Sequence, residues 1–119
     1  MGRILQIRVS AWTYDEDEVA QAWPTLSELV WPEVEKWSPP GGRKGVMELA
    51  KALPDVARFG NWSAQVREAL RDGISTTTAL AGELEQALSD WKPVEANRLS
   101  DLLEDALTSL EKRAVTLVT

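Results

Sequence analysis

The chain has 119 residues and a net charge of −6, with six tryptophans but neither histidine nor cysteine. The missing residue types exclude the usual general base near neutral pH, most transition-metal ligand sets, thiol nucleophiles and disulfides. A negative chain repels phosphate backbones, so nucleic acid is not an expected partner. The sequence also lacks an apolar run long enough to cross a membrane.

The composition, 44% hydrophobic and 27% charged, is typical of a globular protein. We therefore expect a single domain over 1–119, and elimination of a signal sequence and membrane span predicts cytoplasmic residence. No cofactor motif or catalytic constellation is recognisable. This argues against an enzyme without excluding one.

A short strand is predicted at the N-terminus because the hydropathy alternates with a period of two. Leu5, Ile7 and Val9 share the face that we expect to be buried, whereas Gln6 and Arg8 share the other.

Helices interrupted by prolines are predicted next. Asp15 can cap a first helix, and Pro24 suits the first turn of a second, in which Pro32 is expected to cause a kink or a break. Two prolines and three glycines then forbid regular structure over 38–45. We interpret this segment as a flexible loop between the tryptophan-rich part and the helical second half.

The second half begins with a short helix predicted over 46–53 and ended by Pro54. Asn61 is a candidate cap for the next helix. Gly73 within Asp72-Gly73-Ile74 resembles a helix stop and predicts a break. The hydrophobic spacing of three and four continues across it, however, so one long helix over 62–91 is the alternative.

An antiparallel helical hairpin of residues 76–91 and 94–112 is expected to form the core, because Lys92-Pro93 leaves only a short connection. Residues 113–119 are read as a final strand or a frayed tail. The predicted class is α+β, predominantly helical, with the N-terminal strand paired to this tail or placed at an edge. The inner stripe of the last helix is predicted to be Leu99, Leu102, Leu103, Ala106, Leu107 and Leu110.

Four tryptophans lie within 26 residues, namely Trp12, Trp23, Trp31 and Trp37. Tryptophan is enriched in binding hot spots, so a partner-binding surface is one interpretation. The other is that these side chains anchor short, interrupted helices to the core. Trp62 and Trp91 fall in helical stripes and are predicted to be buried.

Two polar features are candidate sites. Arg43 and Lys44 precede a helix start at Val46, where cations and free N–H groups could hold a small anion; a solvated loop is the alternative. The carboxylates of Asp101, Glu104 and Asp105 are interpreted as a solvated helix face.

Three functions are consistent with these features. The first is an acidic protein–protein interaction module, such as an inhibitor, adaptor, immunity-type protein or chaperone, that binds a protein partner through its tryptophans. The second is an enzyme or sensor that binds a small anion at Arg43 and Lys44. The third is a structural subunit of a homo- or hetero-oligomer.

Overall fold

The computed structural model describes residues 4–7, 11–13, 15–37 and 42–118. Within them the chain is predominantly helical, as predicted. In chain order the elements are β1 (Leu5–Ile7), β2 (Ala11–Thr13), α1 (Glu16–Ala22), α2 (Pro24–Val34), α3 (Val46–Phe59), α4 (Ala64–Ser89) and α5 (Pro93–Val118).

The α+β class is not supported. In the described residues β1 and β2 have three residues each, and they pair with one another as an antiparallel hairpin in which Leu5 faces Thr13. Two such strands make no sheet layer, since isolated two-stranded hairpins are marginal in water. Leu5 is buried as predicted. The side chains of residues 6–10, which carry the rest of the predicted alternation, lie outside the described residues.

Local signals fix the start of α1 and α2. The Asp15 carboxylate accepts the N–H of Asp17 at 2.9 Å, which confirms the predicted cap. Pro24 occupies the first turn of α2, also as predicted. Of the kink or break predicted at Pro32, the break is wrong, because the helix continues to Val34. We attribute this to packing of Val30 and Val34, which hold the helix on both sides of the proline.

The start of α3 depends on a distant residue. Gly45 is the N-cap and has no side chain, and the hydroxyl of Thr13 in β2 accepts the Val46 N–H at 2.8 Å instead. A side chain at position 45 would collide with Thr13. The end predicted at Pro54 is wrong, since α3 runs to Phe59. Burial of Leu53 and Val56 on either side of Pro54 outweighs its cost of about 3 kcal/mol.

The break predicted at Gly73 is also wrong, because α4 is one helix of 26 residues. Gly73 serves helix packing: a Cβ there would lie 2.5 Å from Cδ1 of Leu110. The following Thr77 is compatible with a helix because its hydroxyl donates to the Gly73 carbonyl at 2.9 Å. Ser63, rather than the predicted Asn61, caps the helix by accepting the Val66 N–H.

The last helix begins at Pro93 as predicted but is longer than predicted. It runs to Val118, so residues 113–118 of the segment interpreted as a strand or a frayed tail are helical and do not pair with β1. Ala114 is fully buried in that last part, which explains why the helix continues. The expected antiparallel hairpin is confirmed as α4 and α5.

Helices α2, α3, α4 and α5 close a ring around the core, since each contacts the next and α5 returns to α2. The β-hairpin packs on α3 and α5. In the stripe predicted for α5, Leu99, Leu103, Leu107 and Leu110 are buried, whereas Leu102 is 39% exposed.

Two glutamates on α5 lie inside the fold. Glu104 is 1% exposed and accepts the N–H groups of Ile4 and Leu5, at 3.1 and 2.9 Å. Glu111 accepts the N–H groups of Thr25 and Leu26 at the start of α2, at 3.1 and 2.9 Å. The solvated face predicted for Glu104 is therefore wrong, since its carboxylate fixes the N-terminal segment to α5.

Candidate interaction surfaces

The four N-terminal tryptophans do not form one surface among the residues that the structure describes. Trp23 is 1% exposed, and its indole N–H donates to the Thr108 hydroxyl at 3.1 Å. Trp31 is half-buried against the core. Trp37 is 47% exposed and could contact a partner. The side chain of Trp12 lies outside the described residues.

Trp62 is a core residue, as predicted. It is buried at the junction of α3 and α4, and its indole N–H donates to the Leu29 carbonyl of α2 at 2.9 Å. The indole thus satisfies a backbone acceptor while it fills apolar space, which is the usual arrangement for a buried tryptophan.

Trp91 corrects the prediction of a second core tryptophan. It lies in the turn between α4 and α5 and is 68% exposed. The helix stripe extrapolates Trp91 into the core, but α4 ends at Ser89 and the chain reverses direction immediately afterwards. Trp91 is therefore not part of the helix whose periodicity predicted its burial.

The turn at Trp91 has the hydrogen bonds of a Schellman motif. The N–H of Lys92 donates to the Ala87 carbonyl at 2.8 Å, and the N–H of Trp91 donates to the Leu88 carbonyl at 3.1 Å. This motif needs a left-handed residue after the cap, which is usually glycine. Here it is Trp91, with φ of 58°.

A second apolar side chain stands beside this turn. Val94, in the first turn of α5, is 83% exposed. We call Trp91 and Val94 the Trp91 tip. Large exposed apolar side chains are common singly on protein surfaces, whereas here two lie three residues apart at one end of a hairpin.

The cations of the loop before α3 are already engaged by acidic groups. Lys44 Nζ lies 2.9 Å from Oε1 of Glu35, and its backbone N–H donates to Glu16. Arg43 lies 3.5 Å from the Glu16 carboxylate and donates to the Thr13 carbonyl. A small anion would compete with these carboxylates for both cations.

An open groove lies between α4 and α5, near the end of the hairpin opposite Trp91. Its volume is ≈ 510 Å³. Its lining includes two small residues, Gly73 and Ala106, and two charged ones, Asp72 and Arg113. Arg113 also donates to the Ala69 carbonyl at 3.3 Å. No single sequence pattern predicts this groove, because its two walls come from different helices.

Within the described ranges, acidic side chains nowhere gather into a group that could hold a metal ion. None of the described helices is both long and apolar enough to cross a membrane.

Comparison with known proteins gives no relative from which a role could be inferred: no family model, curated protein or solved structure matches the chain.

Proposed function

We propose that the protein is an interaction module that binds a protein partner through the Trp91 tip, with Trp37 as a second exposed aromatic. The observation that carries the proposal is that Trp91 combines 68% exposure with a left-handed backbone. Both properties are unfavourable for the isolated domain.

The backbone conformation at Trp91 is costly. For an L-residue the left-handed region costs roughly 1–2 kcal/mol relative to the right-handed region, a penalty that glycine does not have. The turn itself requires that conformation, so glycine would satisfy the fold better than tryptophan does. Strain of this kind, when observed, is a reason to look for a function.

The chemistry of the tip suits a binding anchor. An indole offers a large, rigid apolar surface with one N–H donor, which is why tryptophan is enriched among hot-spot residues. The net charge of −6 favours a basic partner through long-range attraction. Lys92 and Asp90 flank the indole with one charge of each sign and could form a polar rim.

The alternative of a small-anion enzyme or sensor has less support. Arg43 and Lys44 contact carboxylates of this chain, and the Val46 N–H at the start of α3 is taken up by Thr13.

Trp91→Gly is the test, because it removes the indole and leaves a residue suited to the turn. Proteins captured from extracts of the native organism would be quantified by mass spectrometry, and the candidate partner would then be titrated as a purified protein. We expect binding to weaken by at least thirtyfold, which corresponds to the hot-spot threshold of about 2 kcal/mol.

Phe59→Ala is the matched control, since Phe59 is also 68% exposed but lies at the end of α3. It should leave binding of the same partner unchanged. Equal binding by the wild type and by Trp91→Gly would refute the proposal.

A further inference from the structure

The outer face of the α4–α5 hairpin is the side turned away from α2, α3 and the strands. We define this outer face by Asp72, Leu80 and Glu83 on α4 and by Arg98, Leu102 and Arg113 on α5. Steps of 8 and 3 residues on α4 and of 4 and 11 residues on α5 place these residues on one side of each helix. Five of these six side chains are exposed, and Leu80 is partly buried.

The outer face has an apolar centre. Leu102 is 39% exposed, and Leu80 is only partly buried by the core. Gly73 and Ala106 are among the residues that line the adjoining groove, so no large side chain from either position stands in it.

Charged residues of the outer face lie at two positions along the helix axes, which we call levels. At one level Asp72 of α4 and Arg113 of α5 line the same groove. At the other level are Glu83 of α4 and Arg98 of α5, both exposed and both within two turns of the connection between the helices. The pKa of Arg98 is raised chiefly by its hydrogen bond to Glu95, and Glu83 contributes through its charge. At both levels, therefore, the acid is on α4 and the arginine is on α5.

This arrangement is self-complementary in only one of two orientations. A two-fold axis parallel to the helices places α4 over α5 of a second copy and keeps the levels aligned. Asp72 then faces the second copy's Arg113, and Glu83 faces its Arg98. An axis perpendicular to the helices places α4 over α4 and reverses the levels, so that acid faces acid and arginine faces arginine.

We infer that a second copy of this chain binds the outer face about a two-fold axis parallel to α4 and α5, which forms a four-helix layer between the two subunits. The outer face is large enough. Helices of 26 residues extend about 39 Å, and two side by side are about 20 Å wide. The resulting area, on the order of 800 Å², is what each partner contributes to a stable interface.

Charge reversal tests the inference. Association would be measured by sedimentation velocity between about 1 and 100 µM. Asp72→Arg and Arg113→Asp should each weaken dimerisation at least tenfold, because each places like charges opposite one another. The double variant Asp72→Arg/Arg113→Asp should restore it, since the pair is then reversed but still complementary.

Glu85→Arg and Lys51→Asp are the matched controls. They make the same charge changes at an exposed pair that joins α4 to α3, on a side of α4 away from the outer face. Neither should alter dimerisation. Leu102→Asp is a further variant at the apolar centre and should also give monomers, with circular dichroism confirming that the fold is kept.

Three results would overturn the inference: a wild-type protein that is monomeric at 100 µM, single variants that behave like the controls, or a double variant that fails to restore the dimer. The inference goes beyond the proposed function and does not rest on it. The variants that test dimerisation are on the helices, whereas Trp91 is in the turn. Dimerisation and partner binding can therefore fail independently of each other.

Discussion

Glu104 and Glu111 lie seven residues apart on α5, and each holds a different part of the N-terminal third by two backbone N–H groups. The spacing of two helical turns places both carboxylates on the same side of the helix. One fixes the start of β1 and the other caps α2, where a carboxylate also stabilises the positive end of the helix dipole. The single helix α5 therefore positions both β1 and α2, neither of which is adjacent to it in the chain.

Removing the Glu111 carboxylate should leave buried N–H groups without an acceptor. Glu111→Ala is expected to lower the free energy of unfolding by about 1–3 kcal/mol for the buried Leu26 N–H alone. Denaturant unfolding measures this loss, and hydrogen exchange at Leu26 should accelerate. Lys112→Ala, at an exposed neighbouring position, is the control and should change little. Similar stabilities for the two variants would contradict the capping role.

The glycines of α4 should respond in opposite directions to the same change. Gly82→Ala should stabilise the protein by about 0.5–1 kcal/mol, since nothing lies within 4 Å of the added Cβ and alanine favours the helix. Gly73→Ala should destabilise it despite the same gain in propensity, because Leu110 must move. Thermal unfolding of both variants decides the matter. A stabilised Gly73→Ala would show that the contact with Leu110 is easily relieved.

Two adjacent leucines of α5 should differ sharply in their contribution to stability. Leu103 is fully buried, and Leu103→Ala is expected to cost about 2–5 kcal/mol in unfolding free energy. Leu102→Ala should cost much less in the monomer, because Leu102 is partly exposed. Denaturant melts at low protein concentration separate the monomer from any oligomer. A loss below about 0.5 kcal/mol for Leu103→Ala would place this stripe outside the core.

Acid should weaken the contact between α2 and the connection that joins α3 to α4. The hydrogen bond from Lys36 and, after it, the one from the Asn61 N–H lower the pKa of Glu33 below its ordinary value of 4.5. The folded state therefore favours the ionised form. The contribution of the ionised Glu33 carboxylate to stability is present above pH 4.5 and is lost as the pH falls through the lower pKa of the folded state. Stability curves of Glu33→Gln and wild type should converge there, and curves that stay parallel to low pH would contradict this.

Locally determined features of the fold were predictable from the sequence. Asp15 and Pro93 mark helix starts through their own chemistry, and Leu103 and Leu107 mark the core through helical spacing. The predictions from sequence were wrong where a contact with a residue far away in the chain determines the local structure. Pro54 and Gly73 are ordinary helix breakers, but packing keeps each within a helix.

Two further errors concern the surface and the polar interior. Periodicity could not identify Glu104 as buried, since the N–H groups that donate to its carboxylate lie about 100 residues earlier in the chain. Nor could it place Trp91, because the stripe continues into a residue that belongs to the turn. The outer face of the hairpin depends on which sides of α4 and α5 the other helices leave uncovered, and a single helix pattern does not carry that information.

Because Glu104 and Glu111 come late in the chain, the contacts that they make can form only near the end of synthesis. The acceptors stand 99 residues after Leu5 and 85 residues after Leu26 in the chain. At about 5–20 residues per second, the N-terminal third leaves the ribosome many seconds before the helix that receives it. During that interval Trp23 and the start of α2 lack the partners they have in the finished fold. The newly made chain therefore passes through a stage in which its tryptophan-rich segment is open to chaperones and to other chains.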